Sequence, residues 1–217
     1  MTEAEWLTCT DPTPMLDFLR DQMNSRKMRL FACSCCRHIW HRLIDERSRN
    51  AVEAAERYAE GLITHADLKR AWVEASEALQ GSLVTHSGQS RAAIVAKHAA
   101  DPARSSLAEA VSDAARVGYS QKELDTEKAT QATLLHDLVG NPFRPVSVTS
   151  SWLAWNDGTV VKLAEAIYED RAFDRLPILA DALEEAGCDD ADILGHCRQP
   201  GEHVRGCWVI DLLLGKS

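Results

Sequence analysis

The chain has 217 residues, of which 45% are hydrophobic and 26% charged, and its net charge is −9. This length and composition predict a folded protein with a substantial core, in one large domain or two small ones, and exclude a disordered chain. An acidic surface repels phosphate backbones, so nucleic-acid binding is disfavoured. We interpret the basic residues between Arg20 and Arg49 as solvated edges of an apolar helical face.

The sequence also predicts where the protein works. No apolar run approaches the roughly 20 residues that span a bilayer. The acidic N-terminus also lacks the basic segment followed by an apolar segment that is typical of a signal peptide. Seven cysteines, an odd number in a chain of this size, argue against a disulfide framework. We therefore expect a cytoplasmic protein with reduced thiols and no membrane contact.

Helix start and stop signals follow one another through the first 140 residues. Asp11-Pro12, Ser25 and Ser48 are of the types that cap helices, and Gly61 suits the left-handed turn at a helix end. Capping boxes start helices at 64 and 120, and alanine-rich segments form two more. The predicted ranges are 12–22, 25–44, 48–61, 64 to a break at 81–88, 89–100, 102–117 and 120–140. We expect the alanine-rich segments to form a peripheral or partner-facing layer.

The helical period fails between Asn141 and Gly158. This segment contains two prolines and three large aromatic residues, so we expect an ordered irregular connection pinned by Phe143, Trp152 and Trp155. Helices are predicted to resume after 159, 174 and 189. The last element, from about 203 to 214, is apolar almost all round, which is typical of a buried helix, although a strand over 207–214 fits the pattern too.

These elements predict an all-α fold, a multi-helix compact array. An N-terminal helical region, 1–140, and a C-terminal helical region, 141–217, are expected to pack as one compact unit.

Two cysteines in CSCCRHIWH form the first candidate site. Cys33 and Cys36 have C-x-x-C spacing and share one helix face, from which both can reach a metal ion. No second C-x-x-C completes a zinc site, so we favour cysteines that let helices pack closely. A redox pair is disfavoured, because such a pair stands at a helix start that follows a strand.

The C-terminal stretch holds the stronger metal candidate. Cys188, Cys197, His203 and Cys207 are four ligand-type residues within twenty positions, and His196 is an alternative to Cys197. If the last element is helical from its start, His203 and Cys207 point the same way and could bind zinc with the others. The spacing matches no known zinc module, so cysteines in the core and histidines at the surface remain the favoured interpretation. A Cys207–His203 nucleophile pair is disfavoured, because burial in an apolar run raises the pKa of a thiol.

His136 and Arg144 form a weaker candidate for binding a ligand or partner. Arg144 lies in a loop stiffened by two prolines and could hold a carboxylate or phosphate in two hydrogen bonds. Pairing with an internal acidic residue is the favoured alternative.

Several stretches resemble an uncharacterised family of hypothetical proteins expanded in planctomycete bacteria. They are MTEAEWLTCTDPTPMLDFL, RKMRLFACSCCRHIWHRLIDERSRNAVEAAERYAEG, HDLVGNPFRPV with WN and GTV downstream, and FDRLPILADALEEAGCDDADILGHCRQPGEHVRGCWVIDLLLGKS. The resemblance implies that both ends belong to one architecture with a variable middle. It implies no function, since the family has none assigned.

Three functions are consistent with the sequence. The favoured one is a non-catalytic protein-interaction or adaptor module with a protein partner, because no enzyme motif is present. The second is a structural domain stabilised by zinc at the C-terminal cysteines and histidines. The third is a hydrolase or transferase of unrecognised type.

Overall fold

The computed structural model describes residues 1–82, 88–102 and 120–216, and within these ranges it contains helices and loops but no strand. The predicted all-α fold is confirmed, and the alternative of a C-terminal strand is wrong. The predicted helix over 102–117 lies outside the described residues, apart from its first position. Within the described ranges, no helix is both long and apolar enough to cross a bilayer.

The helices are numbered in chain order. They are α1 (Glu3–Thr8), α2 (Pro12–Leu19), α3 (Ser25–His38), α4 (Glu46–Ala59), α5 (His65–Ser82), α6 (Gly88–Ala99), α7 (Gln121–Val139), α8 (Ser150–Ala154), α9 (Thr159–Asp170), α10 (Leu176–Glu185), α11 (Ala191–Arg198) and α12 (Trp208–Leu214). Short 3-10 turns lie at Trp40–Arg42, Trp155–Gly158 and Phe173–Arg175.

The chain divides into two compact units, Met1–Leu135 and His136–Ser217. The division falls within α7, before the boundary at 140 that the sequence suggested. In the first unit α3 is the central element, because every residue from Met28 to Cys36 on it is buried. It packs on α4 and α6, and α4 packs on α5.

Several predicted helix ends in the first unit are confirmed. The Asp11 carboxylate accepts a hydrogen bond from the Thr13 N–H at 2.9 Å, so it caps α2 as expected. Thr64 and Asp67 form the predicted capping box, with reciprocal hydrogen bonds of 3.1 and 3.2 Å. Gly61 has a φ of 70°, the left-handed conformation that a helix end requires.

Two other predicted caps were wrong by one to three residues. Asn24, not Ser25, caps α3. Asp45 caps α4, and Ser48 is instead buried in the first turn of that helix. In both cases a residue with an equal capping preference stands before the serine, by one position for Asn24 and three for Asp45, and the helix starts after it. Helix α3 also ends at His38, earlier than the predicted residue 44, and a 3-10 turn follows it.

The interpretation of the basic residues near the N-terminus as solvated edges is wrong for Arg29. This side chain is only 3% exposed, and it donates hydrogen bonds to the carbonyl oxygens of Ala99 and Asp101 at 2.8 and 3.0 Å. Its guanidinium also lies over the Tyr58 ring, 5.3 Å from the centroid. Arg29 therefore ties α3 to the end of α6 from inside the core.

The second unit is built on α9, which packs against α8, α10 and α12. Its core is apolar and includes the buried Ile167, Leu179 and Val209. The predicted irregular connection over 141–158 is more regular than expected, because it contains α8 and a 3-10 turn. Trp152 is buried as predicted, whereas Phe143 and Trp155 are half-buried.

Two boundaries in the second unit position the site described below. Helix α7 ends at Gly140, whose φ is 70°, and a Cβ on this glycine would lie 2.9 Å from the ring of Trp208. The last helix begins at Trp208 and not at 203, so the nine residues before it are a loop. Pro200 and two glycines in this loop oppose continuation of the helix.

Candidate metal centre

Four side chains with metal-ligating atoms meet inside the second unit. They are Asp137, His196, His203 and Cys207, and one ligand atom from each lies within 4.8 Å of all the others. We call this set the C-terminal cluster. Asp137 comes from the last turn of α7, His196 from α11, and the other two from the loop between α11 and α12. Among the described residues, no other group of three or more cysteine, histidine or acidic side chains meets this criterion.

Asp137 is the centre of the hydrogen bonds in the cluster. Its Oδ1 atom lies 2.5 Å from Nδ1 of His203 and 3.2 Å from Nε2 of His196. Its Oδ2 atom accepts a hydrogen bond from the backbone N–H of Val204 at 2.9 Å. Burial alone would raise the pKa of Asp137, but the hydrogen bonds from the two histidines outweigh it, and the pKa lies below its usual value of 3.8. The buried carboxyl group is therefore ionised at neutral pH.

Cys207 contributes a thiol that is completely buried. Its Sγ atom lies 3.1 Å from Nε2 of His196. Burial raises the pKa of Cys207 well above the usual 9.0, and the charge of Asp137 raises it further. Without a cation beside it, this sulfur is a neutral thiol.

His203 carries the one unsatisfied atom of the cluster. Its side chain is 6% exposed, and its Nδ1 atom faces Asp137. Its Nε2 atom is buried and has no hydrogen-bond partner. In a neutral imidazole whose Nδ1–H donates to Asp137, Nε2 is a bare lone pair. A buried acceptor of this kind costs free energy unless something binds it.

The local structure explains why these residues meet. Because Gly140 has no Cβ, Trp208 can pack directly on the end of α7. The Trp208 ring also lies 5.2 Å from the His196 ring, between centroids. The start of α12 is thereby held close to Asp137 and His196, and Cys207 is the residue immediately before it.

The ligand types and distances fit a zinc ion. In tetrahedral zinc sites the ligand atoms are roughly 3.3–3.6 Å apart, given metal–ligand bonds of about 2.0–2.3 Å. Nε2 of His196 lies 3.2 Å from Oδ1 of Asp137 and 3.1 Å from Sγ of Cys207, slightly closer than this, as expected where a proton takes the place of the ion. Two neutral imidazoles, a carboxylate and a thiolate together carry the charge that neutralises a divalent cation. Metal binding would therefore leave no net charge in the core.

The same geometry disfavours a cysteine nucleophile. In a catalytic triad the acid holds one ring nitrogen of the histidine while the nucleophile faces the other. Here Asp137 and Cys207 both face Nε2 of His196. Moreover, the thiol is buried and its pKa is raised, which are the opposite of the conditions that activate a cysteine.

The structure brings together only part of the metal set predicted from the sequence. His203 and Cys207 are in the cluster, although a loop and not a helix places them there. His196, the alternative to Cys197, is also in it. Cys188 and Cys197 are buried in the core outside the cluster, and burial raises the pKa of Cys197 to about 12.

Asp137 is the member that sequence reasoning did not propose as a ligand. The predicted set contained only cysteine and histidine, whereas zinc also accepts carboxylate oxygen. An acidic residue at a helix end is no specific signal, because α9 and α10 also end in acidic residues, Asp170 and Glu185, that lie outside the cluster.

The other candidate residues lie apart from the cluster. Cys33 and Cys36 are buried on α3, and burial raises the pKa of both thiols well above 9.0. His136 is half-buried near the end of α7, and its carbonyl oxygen accepts a hydrogen bond from the Gly140 N–H at 2.9 Å. Arg144 is exposed in the loop after α7. A role for these two residues in binding a ligand or partner stays a prediction.

Comparison of the chain with protein-family models, curated proteins and solved structures finds no match. The resemblance to planctomycete proteins therefore stays a prediction, and function has to be argued from the geometry of the C-terminal cluster.

Proposed function

We propose that residues 136–216 form a metal-stabilised helical domain in which the C-terminal cluster binds one zinc ion. The observation that carries this proposal is the convergence of four buried ligand-type side chains from three segments of the chain. The charge of the set also supports it, because a carboxylate and a thiolate together balance a divalent cation in the core.

The proposed role of the ion is structural. Catalytic zinc sites keep a coordination position open to water or substrate, whereas structural sites are closed by four protein ligands. The cluster offers four ligands and is buried: Asp137 is 3% exposed, His196 8% and Cys207 0%. The ion would join the end of α7 to the loop between α11 and α12, which has little regular structure of its own.

A non-catalytic protein is consistent with the interaction or adaptor role predicted from the sequence. We retain that role, a protein partner and a cytoplasmic location as parts of the proposal. The free state of all seven cysteines agrees with a reducing compartment.

The direct test is metal analysis of the untagged protein, followed by thermal unfolding with and without a chelator. We expect one equivalent of zinc and a lower Tm after its removal, because an ion that binds only the folded state stabilises it. Substitution by Co²⁺ should give the thiolate-to-cobalt absorption that only a cysteine ligand produces.

Two variants separate metal binding from packing. Cys207→Ala should abolish the thiolate absorption and the effect of the chelator on Tm. Cys197→Ala removes a buried thiol of the same unit from outside the cluster, and it should lose stability while keeping both signals. Zinc retained in full by Cys207→Ala, or no zinc in the wild type under conditions that preserve its fold, would contradict the proposal.

A further inference from the structure

Gln199 joins the exposed surface to the buried cluster. It is exposed and follows α11, yet its Nε2 atom lies 3.2 Å from Nδ1 of His196. An amide NH₂ group can only donate a hydrogen bond, so Nδ1 of His196 must accept it. In the neutral imidazole the ring proton is therefore on Nε2, where it faces Asp137 and Cys207 at 3.2 and 3.1 Å.

This arrangement is suited to the metal-free protein and has to change when a metal ion binds. A metal ion cannot bind a nitrogen that carries a proton, so Nε2 of His196 becomes a ligand only if the ring proton lies on Nδ1. An Nδ1–H group needs an acceptor, and Gln199 supplies one only when its amide is rotated so that Oε1 faces the ring. Because Gln199 is exposed, water can satisfy the outward-facing amide group in either orientation.

We infer that Gln199 is a positioning residue of the metal site: the orientation of its amide selects the tautomer of His196 and thereby sets the affinity for zinc. This inference rests on the proposed function. Metal-bound histidines commonly donate their second N–H to a carboxylate or carbonyl group, and loss of such a partner lowers metal affinity by about 10- to 100-fold. An amide that can present either a donor or an acceptor supports the metal-bound tautomer less firmly than a carboxylate would. The site should accordingly release its ion more readily than a carboxylate-supported one.

The test replaces the amide by a group that can only accept. In Gln199→Glu the carboxylate should hold the proton on Nδ1 of His196 whether or not metal is present. We expect zinc affinity to rise about tenfold or more. In the metal-free variant, long-range ¹H–¹⁵N NMR spectra should show a proton on Nδ1, where the wild type has a lone pair. Gln199→Leu, which offers no acceptor, should bind zinc more weakly than the wild type.

A matched control separates this effect from the added negative charge. Arg198→Gln changes the net charge by the same amount one residue away, and Arg198 faces Asp181 and Glu184 at 2.8 and 2.6 Å, not His196. This control should leave the His196 tautomer and the zinc affinity unchanged. An Nδ1 atom that stays unprotonated in Gln199→Glu, with a zinc affinity equal to that of Arg198→Gln, would overturn the inference. Failure of the wild type to bind zinc would instead overturn the proposed function.

Discussion

At the scale of single residues, Trp208 lies so close to Gly140 that a side chain at this position does not fit. A side chain at position 140 meets two obstacles: a φ of 70° and a tryptophan ring 2.9 Å from the would-be Cβ. The left-handed conformation alone costs an L-residue about 1–2 kcal/mol. The ring contact adds to this, because Trp208, which also packs on His196, must shift to relieve it.

We therefore predict that Gly140→Ala destabilises the protein by about 2–4 kcal/mol, measured by chemical denaturation. Gly187→Ala is the matched control, since Gly187 has a φ of 88° but nothing within 4 Å of an added Cβ. Its unfolding free energy should fall by only about 1–2 kcal/mol, the cost of the left-handed backbone conformation for an L-residue. Equal losses in the two variants would mean that the contact with Trp208 contributes nothing.

The residues of the cluster show what the sequence can and cannot predict. Cys207 and His203 were proposed from the sequence because they are ligand types close together in the chain. The assumed reason, a shared helix face, was wrong, since a loop brings them together. Asp137 lies 66 residues from His203 in the chain, and proximity of that kind follows from tertiary packing and not from any local pattern.

At the scale of elements, caps decide where the helices begin, and the cap of α2 is also sensitive to pH. Burial alone would raise the pKa of Asp11, but hydrogen bonds from Lys128 and the Thr13 N–H lower it below 3.8. A carboxyl group with a lowered pKa in the folded state stabilises the fold above its unfolded pKa of about 3.9. This contribution is lost as the pH falls through the folded value.

We predict that Asp11→Ala costs about 1 kcal/mol at pH 7, the typical value of a helix cap. Asp11→Asn retains an acceptor for Thr13 but cannot ionise or pair with Lys128. The difference in unfolding free energy between the wild type and Asp11→Asn should therefore begin to shrink below about pH 4 and disappear once the pH is below the lowered pKa of folded Asp11. Denaturation curves at neutral and acidic pH measure it, and a difference independent of pH would show that ionisation of Asp11 does not contribute.

Helix existence was easier to predict than helix ends. Asp11, Thr64 and Ser120 were assigned correctly because Asp11 precedes a proline and the other two each begin a capping box. Ser25 and Ser48 were assigned wrongly because Asn24 and Asp45 compete for the same role, and which cap is used depends on how the helix packs. Arg29 was misjudged for a similar reason, since its carbonyl partners at Ala99 and Asp101 lie far along the chain.

At the scale of the whole molecule, the proposed ion belongs to one of the two compact units. All of its ligands lie between 136 and 216, in the unit that begins at His136. Stabilisation by a ligand is confined to the region that must open for the ligand to dissociate.

We predict that chelation accelerates hydrogen exchange in the second unit, most strongly around residues 196–214. Helices α3 and α4 in the first unit should exchange at unchanged rates. Hydrogen exchange followed by mass spectrometry resolves the two units, with the Cys207→Ala protein as a reference that no longer responds to the chelator. Equal acceleration in both units would show that the ion stabilises the chain as a whole.

The position of Asp137 on α7 also determines how the protein can be dissected. Gly140 and Pro142 make position 141 an obvious place to divide the chain, but a C-terminal fragment that starts there lacks Asp137, one of the four proposed zinc ligands. A fragment that starts at 121 retains the whole of α7 and with it the complete ligand set. Weak zinc binding by the shorter fragment would reflect where it was cut, and not the chemistry of the intact chain.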